Sequence, residues 1–122
     1  MSTILIVEDS TYLADSLIDM LEMHGHQTIH AQTGQQGINA AIEYEPDMTL
    51  LDIRLPDING YEVYKKLREN DWGKTAKILI LTASESIDNI AVNIDLPEEN
   101  VLFKPEWSMK DLLTRIEKEI AG

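Results

Sequence analysis

Three stretches, Thr3-Ile4-Leu5-Ile6-Val7, Met48-Thr49-Leu50-Leu51 and Lys77-Ile78-Leu79-Ile80-Leu81, are apolar at nearly every position instead of at every second one. A strand with one wet face alternates, so runs like these must be covered on both faces. Between and after them lie segments with helical spacing: Leu13, Leu17, Met20 and Leu21; Ile38, Ala41 and Ile42; Tyr61, Val63, Tyr64 and Leu67; Ile87, Ile90, Ala91 and Ile94; Leu112, Leu113, Ile116 and Ile120. Two further short strands, the more polar His26–His30 and Asn100–Phe103, complete the series. Strand and helix alternate five times. That order predicts an α/β fold, a doubly wound five-stranded parallel sheet with helices on both faces.

Local signals set the boundaries. Ser10 or Asp9 can cap the first helix, which Gly25 closes; Ser108 caps the last. The second helix runs from Gly34 to Tyr44 and stops before Pro46, and the third runs from about Tyr61 to Glu69. His24, His26 and His30 lack the spacing of a zinc site and read as surface or loop residues.

At 122 residues the chain suits one domain spanning 1–122. A formal charge of −12 argues against direct contact with nucleic acid or an anionic membrane and is compatible with divalent cations. No apolar run is long enough to span a membrane, and Met1 leads into a strand and not a signal peptide. Without cysteine there is neither a disulfide framework nor a thiolate metal site, which suits a cytoplasmic setting.

Ligands of open α/β sheets bind in the crevice outside the carboxyl ends of the strands. Four strands here end in groups with chemistry: Glu8-Asp9, Asp52, Thr82 and Lys104. Taken singly, each has a plainer reading. Asp52 is as well read as a cap of its own loop, one of Glu8 and Asp9 as a helix cap, Thr82 as an ordinary strand end, and Lys104 as a solvated lysine. Capping explains two adjacent acids less well than one. Those acids would also repel the phosphate cofactor of a flavodoxin.

Taken together, Val7-Glu8-Asp9-Ser10, Leu50-Leu51-Asp52-Ile53-Arg54-Leu55-Pro56-Asp57-Ile58-Asn59-Gly60, Leu81-Thr82-Ala83 and Phe103-Lys104-Pro105 resemble the receiver domains of two-component response regulators, over essentially the whole chain. The resemblance implies a flavodoxin-like (CheY-like) (βα)5 fold with strand order 2-1-3-4-5. It implies that Asp52 accepts a phosphoryl group from a histidine kinase or phosphotransfer protein. It further implies Mg²⁺ (or Mn²⁺) held by Glu8, Asp9, Asp52 and the Arg54 backbone carbonyl, with Thr82 and Lys104 on the phosphoryl oxygens. The charges agree, because clustered carboxylates repel and a hard cation with oxygen ligands relieves them. Such a domain is no enzyme for a separate substrate. It catalyses only its own phosphorylation and dephosphorylation and switches contacts with a downstream protein or effector domain. No effector domain follows Gly122, so a stand-alone or excised receiver is expected. Val101 stands where the family commonly carries an aromatic three residues before its lysine, so the aromatic-rotamer switch is not carried over. That departure admits an alternative, a binding module that signals without phosphorylation. A phosphohydrolase of the haloacid dehalogenase type wants a second Asp two residues after the nucleophile, where this chain has Arg54.

Overall fold

The computed structural model describes residues 2–83 and 98–122. Five parallel strands, β1 (Thr3–Val7), β2 (Gln27–Ala31), β3 (Met48–Leu51), β4 (Ile78–Thr82) and β5 (Val101–Phe103), form one sheet in the order β2-β1-β3-β4-β5. Among the described residues the helices are α1 (Thr11–Met23), α2 (Gly34–Tyr44), α3 (Gly60–Glu69) and α4 (Met109–Ala121). The helix expected around Ile87–Ile94 lies outside the described residues.

The consecutive apolar runs feed two cores. Ile4, Ile6, Met48, Leu50, Leu79, Leu81 and Leu102 pack with Ala14, Leu17 and Leu21 of α1 and Leu112 and Ile116 of α4. Leu5, Val7, Leu51, Ile78, Ile80 and Val101 point the other way, onto Ile38 and Ala41 of α2 and Val63, Tyr64 and Leu67 of α3. A two-residue side-chain period on a doubly covered sheet requires this division.

Side-chain caps define where the helices begin. Ser10, Thr33, Asn59 and Ser108 each accept a bond from the backbone N–H three residues on. Gly25, with φ of 87°, follows the end of α1 in the left-handed region that glycine adopts most easily.

Two expectations need correcting. Ile42 does not face inward; it is 46 % exposed. The buried stripe of α2 is Gly34, Gly37, Ile38 and Ala41. Its two glycines let the helix backbone approach, and a Cβ on Gly37 would lie 2.8 Å from Val7 Cγ2. Nor does the surface-or-loop reading hold for all three histidines. His24 and His26 do lie in the loop between α1 and β2, the first exposed and the second half-buried, but His30 is a half-buried residue of β2 itself. His26 pairs with Glu117 of α4 at 3.1 Å, and His30 is described with the site.

Thr49, in the middle of β3, is fully buried, and its hydroxyl has no hydrogen-bond partner among the described residues. An unpartnered buried hydroxyl is destabilising, and valine has nearly the same shape. Thr49→Val is therefore expected to stabilise the domain by about 1 kcal/mol, read as a higher urea midpoint with unchanged slope. An equal or lower midpoint would show that the hydroxyl is satisfied in solution.

Candidate metal and phosphoryl site

The parallel ladder lines up the carboxyl ends of β1, β3, β4 and β5, and the predicted residues stand at or just beyond those ends. Val7 pairs with Leu51, so Glu8 and Asp52 leave the sheet side by side, and the Asp52 N–H donates to the Val7 carbonyl at 3.0 Å. Thr82 is the last residue of β4, fully buried and paired with Phe103 of β5; Lys104 comes next. Side chains as far apart in sequence as Glu8 and Lys104, a separation of 96 positions, are thus gathered by topology at one rim of the sheet.

Glu8 and Asp52 are only 4 % and 6 % exposed, whereas Asp9 is exposed. Carboxylate oxygens of Glu8, Asp9 and Asp52 lie within 4.8 Å of one another. Lys104 reaches over them, its Nζ 3.1 Å from Glu8 Oε2 and 3.4 Å from Asp52 Oδ2. The other Glu8 oxygen accepts from the Ser10 N–H at 3.1 Å, and Asp52 Oδ1 accepts from the Arg54 N–H at 3.3 Å. Burial pushes the Glu8 carboxyl up to about 7, the neighbouring Asp52 adds to this, and Lys104 offsets only part of it. The pocket thus holds more negative charge than one lysine neutralises.

A hard divalent cation fits this donor set. Three carboxylates offer oxygen ligands at close range, and histidine and cysteine ligands are absent from the cluster. Arg54 extends its side chain to solvent, and its main chain lies two residues beyond Asp52.

Two features had no sequence signal. The Asp57 carboxylate accepts from the Gly34 and Gln35 N–H groups at 2.7 and 2.9 Å and so ties the loop after β3 to the start of α2. These bonds hold the Asp57 carboxyl below its ordinary value. His30, at the penultimate position of β2, places Nε2 2.8 Å from the Glu8 carbonyl oxygen. Both partners are more than twenty residues away in sequence, so only the assembled sheet reveals them.

Comparison with known proteins fixes the family. The family model for the response regulator receiver domain matches residues 4–117. The chain belongs to the response regulator receiver domains. Among similar curated proteins, the transcriptional regulatory protein CiaR of Streptococcus pneumoniae is 36 % identical over 117 residues, 96 % of this chain and 50 % of that protein. The protein PilH of Pseudomonas aeruginosa is 35 % identical over 85 residues, 70 % of each. This receiver domain spans about half the length of the first few curated relatives it matches. Among solved structures, a CheY-like receiver domain protein from Methanospirillum hungatei superposes with a TM-score of 0.85 at 28 % identity, covering 99 % of this chain and 94 % of that one. The response regulator TrrA of Thermotoga maritima, in complex with Mg²⁺-BeF, gives 0.82 at 26 % identity, covering 98 % and 99 %. Membership makes this a signalling domain of two-component systems and not a conventional enzyme. No helix among the described residues is long and apolar enough to cross a membrane.

Proposed function

We propose that this receiver domain accepts a phosphoryl group on Asp52 from a histidine kinase or phosphotransfer protein, and that the modification changes its contacts with a downstream protein or effector domain. The single supporting observation is the convergence of Glu8, Asp9, Asp52 and Lys104 at one rim. The unit is one receiver domain over residues 1–122, acting in the cytoplasm.

Asp52 supplies the nucleophile. A carboxylate oxygen attacks phosphorus, the new O–P bond forms as the bond to the donor's nitrogen or oxygen breaks, and the electron pair leaves with the donor. Glu8, Asp9, Asp52 and the Arg54 carbonyl would hold Mg²⁺ (or Mn²⁺). Bound there, the cation supplies charge neutralisation and alignment of the phosphoryl oxygens. Lys104, now shared between Glu8 and Asp52, carries a positive charge within reach of an oxygen added to Asp52. Thr82, at the end of the neighbouring strand, offers a hydroxyl to another. A phosphoryl group adds charge and strong acceptors, so both side chains would be drawn to it, and their movement couples the site to the residues after β4.

The test is incubation with acetyl phosphate and Mg²⁺ followed by intact mass measurement. One added phosphoryl group is expected with the metal and none with a chelator. A gain that persists in the chelator would remove the metal from the account. No gain from acetyl phosphate or from a phosphorylated histidine kinase would favour the binding-only module.

A further inference from the structure

The ladder between β1 and β2 stops at the pair Val7 and Ala31. Beyond it, the Glu8 N–H still finds the Ala31 carbonyl at 3.0 Å, but among the described residues no backbone N–H pairs with the Glu8 carbonyl. The His30 ring takes that place, with Nε2 2.8 Å from the Glu8 oxygen. A carbonyl only accepts, so the proton must sit on Nε2. Glu8 is therefore gripped on both sides of its backbone by the end of β2, and the second grip fixes the plane of the peptide that leads into Asp9.

We infer that His30 is a positioning residue for the metal site: its Nε2–H orients the Glu8–Asp9 peptide and so sets Asp9 for a divalent cation. This rests on the metal reading proposed above. A free peptide plane could rotate, swinging Asp9, an exposed residue whose carboxylate is held by no side-chain bond among those described. The other two acids have separate supports, Glu8 from Ser10 and Lys104 and Asp52 from Arg54 and Lys104. Loss of the His30 bond should therefore weaken metal binding through Asp9 while the phosphoryl chemistry at Asp52, once metal is saturating, survives.

Groups that orient a metal ligand from behind typically change affinity by about 10–100-fold. His30 acts through a peptide and not on a ligand atom, so the lower end is expected. The test is titration of the full chain with Mg²⁺ alone, followed by ¹H–¹⁵N spectra, for the wild type, His30→Leu and His30→Gln. His30→Leu should raise the dissociation constant about tenfold, and His30→Gln, which keeps an N–H donor, should recover most of the loss. The acetyl phosphate rate at saturating Mg²⁺ should change less than twofold in both, by the same argument. In the wild type, ¹⁵N shifts of the neutral ring should show the proton on Nε2, a readout that needs no variant to fold. An unchanged dissociation constant in His30→Leu, failure of His30→Gln to rescue, or a proton on Nδ1 would overturn the inference while leaving the metal site standing. A wild type that binds no Mg²⁺ would overturn both.

Discussion

Gly60→Ala is expected to destabilise the domain by about 3 kcal/mol and to slow phosphorylation with it. Gly60 is the first residue of α3, buried against the exit of β3, and its N–H donates to the Ile53 carbonyl at 2.8 Å. A Cβ there would lie 2.4 Å from the Asp52 carbonyl oxygen and 2.7 Å from Ile53 Cα. Both obstacles are backbone, so no side chain can turn away to make room. Either α3 withdraws, opening the contacts of Val63 and Leu67 with the sheet, or the main chain of Asp52 shifts and takes the carboxylate along. Gly25→Ala is the control. Its positive φ carries an intrinsic cost of about 1 kcal/mol, but a Cβ there meets nothing within 4 Å and lies far from the acids in sequence. Urea unfolding and the acetyl phosphate rate should separate the two, with only Gly60→Ala affecting the rate. Equal effects would show that the close approach to Asp52 does not constrain the site.

In the presence of a chelator, stability should fall as pH rises from about 4.5 to about 7 through the Glu8 carboxyl, and Glu8→Gln should abolish most of that fall. The folded value is pushed up to about 7 from an ordinary 4.5, so between these limits the folded state binds more protons than the unfolded state. Stability then decreases with rising pH across that window and levels off above it. Below pH 4.5 both states are protonated and Glu8 contributes nothing to the slope. The full effect is on the order of 3 kcal/mol. Burial is the main cause, the repulsion from Asp52 the second. Mg²⁺ should accordingly raise the melting temperature more at pH 8 than at pH 6, because protons compete for Glu8 at the lower pH. A flat profile in the wild type, or an equally sloped one in Glu8→Gln, would remove Glu8 as the source.

The sheet and its rim were legible because their determinants are local. Runs such as Leu50-Leu51 that end in an acid give the strand, its burial and its edge at once, and alternation with helical spacing leaves few topologies. Errors arose where a partner lay far along the chain or a residue had no side chain to weigh. Gly34 and Gly37 carry no hydrophobic signal, yet they bring α2 down onto Val7 and Ile58 and turn Ile42 outward. Asp57 is one acid in a polar loop, and its partners are amides of α2 that only the folded chain brings near. His30 followed the same rule, with its acceptor on the neighbouring strand. Helix capping was more readable, since Ser10 and Ser108 bond to amides three residues ahead.

The central claim, that Asp52 is the phosphoryl acceptor because the fold surrounds it with acids and a lysine, is tested most directly by locating the modification. Borohydride reduction after acetyl phosphate treatment, followed by peptide mass spectrometry, should mark position 52 alone, and Asp52→Asn should take up no phosphoryl group. Reduction at Glu8, Asp9 or any other acid in the wild type, or full phosphorylation of Asp52→Asn, would contradict it.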